Sequence, residues 1–141
     1  MKRVVKFRGK CSPQSKYKGE WVTGSLVVPE QIKDNEVLIV VAHSDSCKST
    51  YHVDKNTVGQ LTGRHDINGR EIYEGDILKI SSTPDLYAVV EWNYGIDAIC
   101  IRFMDEEHCG CSTVSEMLAI LDMAVIGNIH DNPELIKEQQ Q

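Results

Sequence analysis

Asp66-Ile-Asn-Gly-Arg-Glu-Ile-Tyr-Glu-Gly-Asp-Ile-Leu-Lys-Ile80 is the stretch on which the fold turns. Asp66, Asn68 and Gly69 supply turn chemistry: Asx side chains bond the backbone two residues on, and glycine takes a positive φ without strain. Ile72 and Tyr73 follow, and Glu74-Gly-Asp76 then makes a tight bend feeding a strand over Ile77–Ser81. On the N-terminal side Thr57–Leu61 reads as another strand. On the C-terminal side Pro84 and Asp85 predict a turn before a strand over Tyr87–Trp92, and Asn93-Tyr-Gly95 a turn before one over Ile99–Phe103. Short strands at close spacing, with turn signals between them, predict an all-β barrel or sandwich.

Further out, Val4–Phe7 and Glu20–Val28 read as strands separated by a polar loop containing Cys11, Ser12 and Pro13. The β-branched run Val37–Ala42 is a buried strand by composition. Thr50–Val53 is a short strand after the polar loop His43–Ser49. Near the other end the period changes, because Val114, Met117, Leu118 and Leu121 fall on one face of a helix. Thr113 and Glu116 form a capping box at its start. Ala124–Ile129 is a closing strand, and Pro133 opens a second short helix at its first position.

The 141 residues are enough for one domain with a real core, or for two very small ones, and one is the default. A net charge of −6 disfavours generic binding to duplex DNA, which needs a surplus of cations for the phosphates. Basic residues nevertheless crowd the first eighteen positions, from Lys2 to Lys18, where they read as a solvated flank of the strands. No apolar stretch has signal-peptide or membrane-spanning length, which predicts a cytoplasmic protein with no membrane partner. Five cysteines, an odd number, predict free thiols.

Several clusters invite a chemical reading. His108, Cys109 and Cys111 are zinc-type ligands, but they lack a second spaced pair, and an acidic loop carrying thiols explains them with less. Asp66–Gly69 resembles the start of a calcium loop, yet the glycine falls two positions early and Arg70 occupies a ligand position. An Asx-type turn accounts for the same residues. His43, Ser44 and Asp45 are the residue types of a hydrolase triad, but a triad converges from separate segments. The carboxylate pairs Glu106 with Glu107 and Glu74 with Asp76 would need a cleft to act as acid and base. Trp21, Tyr73, Tyr87, Trp92 and Tyr94 could line a groove, but packing in the core is the expectation, since few aromatics are available to fill it. The residues thus predict no catalytic residue, no cofactor and no metal.

In combination, Thr57-Val-Gly-Gln-Leu-Thr-Gly63, the block Asp66–Leu78, Val89-Val-Glu-Trp-Asn93 and Val125-Ile-Gly-Asn-Ile-His-Asp-Asn-Pro-Glu-Leu135 resemble the YopX-like family of phage and prophage proteins. Lys6-Phe-Arg-Gly9 and Gly24-Ser-Leu26 extend the resemblance toward the start, while Cys100–Cys111 departs from the family's pattern. The resemblance implies an SH3-like small β-barrel over residues 57–135. Strands of 1–56 pack on it, one or two short helices lie near the C-terminus, and 136–141 fray. It also implies a bacterial host cell and a homo-oligomer, and no enzyme. The resulting expectation is a non-enzymatic interaction module that self-associates or meets a phage or host protein. A nucleic-acid-binding small barrel is the alternative, and a metal-dependent enzyme around His108 the more distant one.

Overall fold

A computed structural model describes residues 4–104 and 112–139. The chain divides into two units, Met1–Leu61 and Thr62–Gln141.

The first unit has four strands, β1 (Phe7–Lys10), β2 (Trp21–Val27), β3 (Glu36–Ala42) and β4 (Lys48–Asp54), of which β3 is a run of apolar, mostly β-branched residues and β4 is largely polar. A single 3-10 turn, Lys55–Thr57, then leads into β5 (Gly59–His65), which begins in this unit and ends in the next. All pairings are antiparallel, in the order β4-β3-β2-β1-β5. Because successive side chains point to opposite faces, Val37, Ile39 and Val41 share one face. There they meet Phe7, Cys11, Val22 and Val53 in a small core.

The strand bounds of this unit differ most from expectation at β1, β4 and β5. β1 begins at Phe7, not Val4, because its partners Gly24 and Gln60 begin opposite Phe7, and Val4 and Val5 stay exposed. β4 runs from Lys48, since its pairing with β3 extends from Glu36↔Asp54 to Ala42↔Lys48; its polar residues occupy the exposed positions. The predicted strand at Thr57 starts two residues later, because Asp54 accepts from Asn56 N (2.9 Å) and curls the backbone into the 3-10 turn first.

The second unit contains β6 (Glu71–Tyr73), β7 (Asp76–Ile80), β8 (Thr83–Asn93), β9 (Ala98–Phe103), β10 (Ser112–Thr113), helix α1 (Val114–Ile120), β11 (Met123–Asn128) and helix α2 (Pro133–Gln139). Its sheet has the order β10-β9-β8-β7-β11, again antiparallel. β6, which composition alone hid between two turns, neighbours β5, and Thr62 Oγ1 donates to Ile72 O (2.8 Å). Pro84 and Asp85 belong to β8 and do not form the turn before it. The register against β7 shifts from Lys79↔Tyr87 to Ile80↔Thr83, and β9 pairs only from Ala88 onward. Pro84 therefore lies in a bulge beyond the reach of β9, where its missing N–H costs no ladder bond.

The core of this unit gathers Ile72, Leu78, Ile80, Val90, Ile101 and Met123, and α1 lays Val114, Met117, Leu118 and Leu121 against it. Thr113 caps α1, its Oγ1 accepting from Glu116 N (3.2 Å). Thr113→Ala is expected to cost about 1 kcal/mol, read as a lower urea midpoint at unchanged m-value.

The chain is mainly β, with two short helices. Among the described residues no helix is long and apolar enough to cross a membrane.

Candidate functional site

The acidic turns are spent on the backbone. Asp66 is 7% exposed. Its Oδ1 accepts from Asn68 N (2.9 Å) and Arg70 N (2.8 Å), and its Oδ2 accepts from Val125 N (2.9 Å). Burial alone would raise its pKa, but the hydrogen bonds from Val125, Arg70 and Asn68, with the Arg70 charge, outweigh it and hold the carboxyl below its usual range. Gly69 takes φ 82, as a turn of this kind needs. The Asx-turn reading of Asp66–Gly69 therefore holds, since the carboxylate is occupied by amides. Asp76, 1% exposed, accepts from Tyr73 N through Oδ2 (2.7 Å) and closes the bend at Gly75.

His43, Ser44 and Asp45 sit in the exposed turn between β3 and β4. His43 Nε2 lies 2.8 Å from Ser49 Oγ, and Ser44 Oγ accepts from Cys47 N (3.1 Å). The fold does assemble another serine, acid and histidine, which linear spacing could not reveal. Ser12 Oγ donates to Glu36 Oε1 (2.9 Å), while His52 Nδ1 lies 3.0 Å from Glu36 Oε2. A nucleophilic serine would be bonded to the imidazole. Here the hydroxyl goes to the carboxylate, and Ser12 is 1% exposed, so the cluster fastens the loop after β1 to β3 and β4.

Cys11 and Cys100 are buried and Cys47 is exposed. Burial, then the charge of Glu20, pushes the Cys11 thiol up, which keeps it protonated and unreactive. Asp105–Cys111, with His108, Cys109 and the pair Glu106 and Glu107, lie outside the described residues. Among the described residues no group of three potential ligands converges on a metal position.

Among the described residues two apolar features stand out, one in each unit. In the first, Leu26, Val28, Ile32, Val37 and Val58, with Lys55, line a cavity of about 280 Å³. It lies where the end of β2, the following loop and the 3-10 turn leave the core uncovered, and Val28 and Ile32 are 58% and 41% exposed. In the second unit, the β8–β9 hairpin presents Trp92, Tyr94 and Ile96 at 39%, 85% and 52% exposure. Tyr73 is a core residue as expected, but Trp92 and Tyr94 are not. The pairing of β7 with β8 ends at Val89, whereas β9 follows β8 to Asn93, so the tip projects past its sheet neighbour. Asn93 Oδ1 accepts from Gly95 N (2.7 Å), Asp97 adopts φ 51, and the Trp92 and Tyr94 rings meet edge-on at 6.4 Å, all of which fix the tip's shape. Below it, Arg102 and Glu91 form a surface ion pair (2.6 Å).

Among the described basic residues near the N-terminus, Arg8 is buried while Lys16 and Lys18 are exposed. Arg8 is 8% exposed, with its guanidinium 5.0 Å from the centre of the Trp21 ring.

The sequence family described as YopX protein matches residues 6–137. The chain belongs to the YopX family. The resemblance expected from the sequence blocks thus holds over nearly the whole chain. Among solved structures, the crystal structure of protein EF1440 from Enterococcus faecalis is similar at a TM-score of 0.53 and 24% identity. That match covers 94% of this chain and 98% of the other, a likeness of fold. Among curated proteins, none matches. Both the cavity and the hairpin tip of this YopX chain fall inside the matched region.

Proposed function

We propose that this YopX protein is a non-enzymatic interaction module that associates with itself through the β8–β9 hairpin tip. The observation that carries the reading is the exposed cluster of Trp92, Tyr94 and Ile96 on a hairpin held in one shape by Asn93. Trp and Tyr dominate binding hot spots because they bury a large area with few rotamers to freeze. A tip that is rigid beforehand also loses little entropy on docking. The non-enzymatic part rests on where the polar groups are committed. Asp66 and Asp76 hold backbone amides, and the Ser12 hydroxyl is bonded to the Glu36 carboxylate.

On the family resemblance, the module is an SH3-like small barrel encoded by a phage or prophage and acting in the cytoplasm of a bacterial host. Its test is the molar mass in solution. Light scattering behind size-exclusion chromatography is expected to give a mass above that of one chain at micromolar concentration. Trp92→Ala and Tyr94→Ala should each weaken association by roughly 30-fold or more, and for Tyr94→Ala, at an 85% exposed position, thermal unfolding should be nearly unchanged. A wild-type protein that elutes as a monomer, or tip variants that associate as well as wild type, would refute the reading. Salt-sensitive binding of single-stranded probes that depends on Trp92 and Tyr94 would replace it by nucleic-acid recognition.

A further inference from the structure

We infer that the cavity of the Met1–Leu61 unit is the socket for the β8–β9 hairpin tip of a second copy of this chain, with Tyr94 as the inserted side chain. The inference rests on the self-association proposed above and names the surface that receives the tip.

At about 280 Å³ the cavity has room for an aromatic side chain. Its lining is aliphatic apart from Lys55, so it offers apolar contact and one cation. An aromatic ring with a carboxylate beside it fits that combination. The hairpin supplies both within four consecutive residues, since Tyr94 is 85% exposed and Asp97 is exposed in the same turn. Neither Lys55 nor Asp97 has a side-chain ion pair among the described residues. A ring seated among Leu26, Val28, Ile32 and Val58 brings the two charges to the rim of one contact, where they select orientation more than they add affinity. Because tip and socket are different surfaces, each chain carries one of each, and a chain lacking one can still use the other.

That property supplies the test. Val28→Asp places a carboxylate at the mouth of the cavity, and Tyr94→Ser removes the ring. Both positions are well exposed, so circular dichroism and melting temperature should match wild type. Each variant alone is expected to lose association by roughly 30-fold or more. Their equimolar mixture should recover a heterodimer of two chains, the intact tip of one entering the intact socket of the other. Lys55→Glu and Asp97→Lys should each weaken association, and mixing or combining them should recover it.

If Tyr94→Ser dissociates the protein while Val28→Asp leaves it associated, the socket lies elsewhere. The inference is then overturned, and self-association through the tip stands. If both variants are monomeric and their mixture is too, the two surfaces do not meet. If wild type is a monomer, both the inference and the proposed function fall.

Discussion

Asp66→Ala is expected to lower the unfolding free energy of the Thr62–Gln141 unit by about 3 kcal/mol, beyond what an ordinary surface substitution costs. The carboxylate accepts from Asn68, Arg70 and Val125, so it ties the turn before β6 to the closing strand β11, 59 residues further on. Truncation leaves the buried Val125 N–H without an acceptor and removes two bonds that shape the turn. Asp66→Asn keeps one carbonyl oxygen but turns an amide N–H2 toward at least one backbone donor, so it should recover only part of the loss. Urea unfolding and amide exchange at Val125 measure both.

The same side chain sets an acid limit. Its folded pKa lies below the ordinary value of 3.8. The stabilisation from its charge is therefore full above that value and disappears as pH falls through the lower folded pKa. The gap in stability between wild type and Asp66→Ala should be widest near neutral pH and narrow steadily in acid. A gap independent of pH would mean that the charged form has no advantage in the folded state.

Gly24→Ala should be comparably severe in the other unit, at about 3 kcal/mol, the upper end of what overpacking costs. A Cβ there would lie 2.3 Å from the backbone oxygen of Val40 and 3.2 Å from Ile39 Cγ2. The obstacle is a neighbouring backbone, which no rotamer change relieves. Gly24 stands where β2 changes partners, since Trp21–Gly24 pair with β1 and Ser25–Val27 with β3. Separating β2 from Val40 disturbs the short ladder Ser25↔Val40, Leu26↔Ile39 and Val27↔Leu38. Thr23→Ala, one residue away and exposed, should stay within about 0.5 kcal/mol of wild type. If the two variants melt alike, the close approach at Gly24 does not constrain the sheet.

Strands announced by strong alternation or β-branched runs, such as Val37–Ala42, were legible within a residue or so. So were the capping threonine at 113 and the apolar face of α1. Polar strands were not, because hydrogen bonding to a partner, and not composition, makes Lys48–Asp54 a full strand of its hairpin. β6 is not legible in the sequence because its three residues gain strand geometry only from a neighbour. The exposure of the tip is not legible for a related reason: aromatic residues are core candidates by composition, and whether Trp92 and Tyr94 are covered depends on where β7 stops pairing.

The stretch from Asp66 to Ile80 determined by itself that the chain is a β protein with turns built from Asx residues and glycine, because those effects act over a few residues. The family, too, was readable from the order of such blocks. Only the tertiary structure decided that the second oxygen of Asp66 binds Val125, and that Ser12, Glu36 and His52 meet without making a nucleophile. It alone left an apolar cavity in one unit and an uncovered aromatic tip in the other. Each of these depends on strand register and on where pairing ends, and both are set by contacts between residues far apart in the chain.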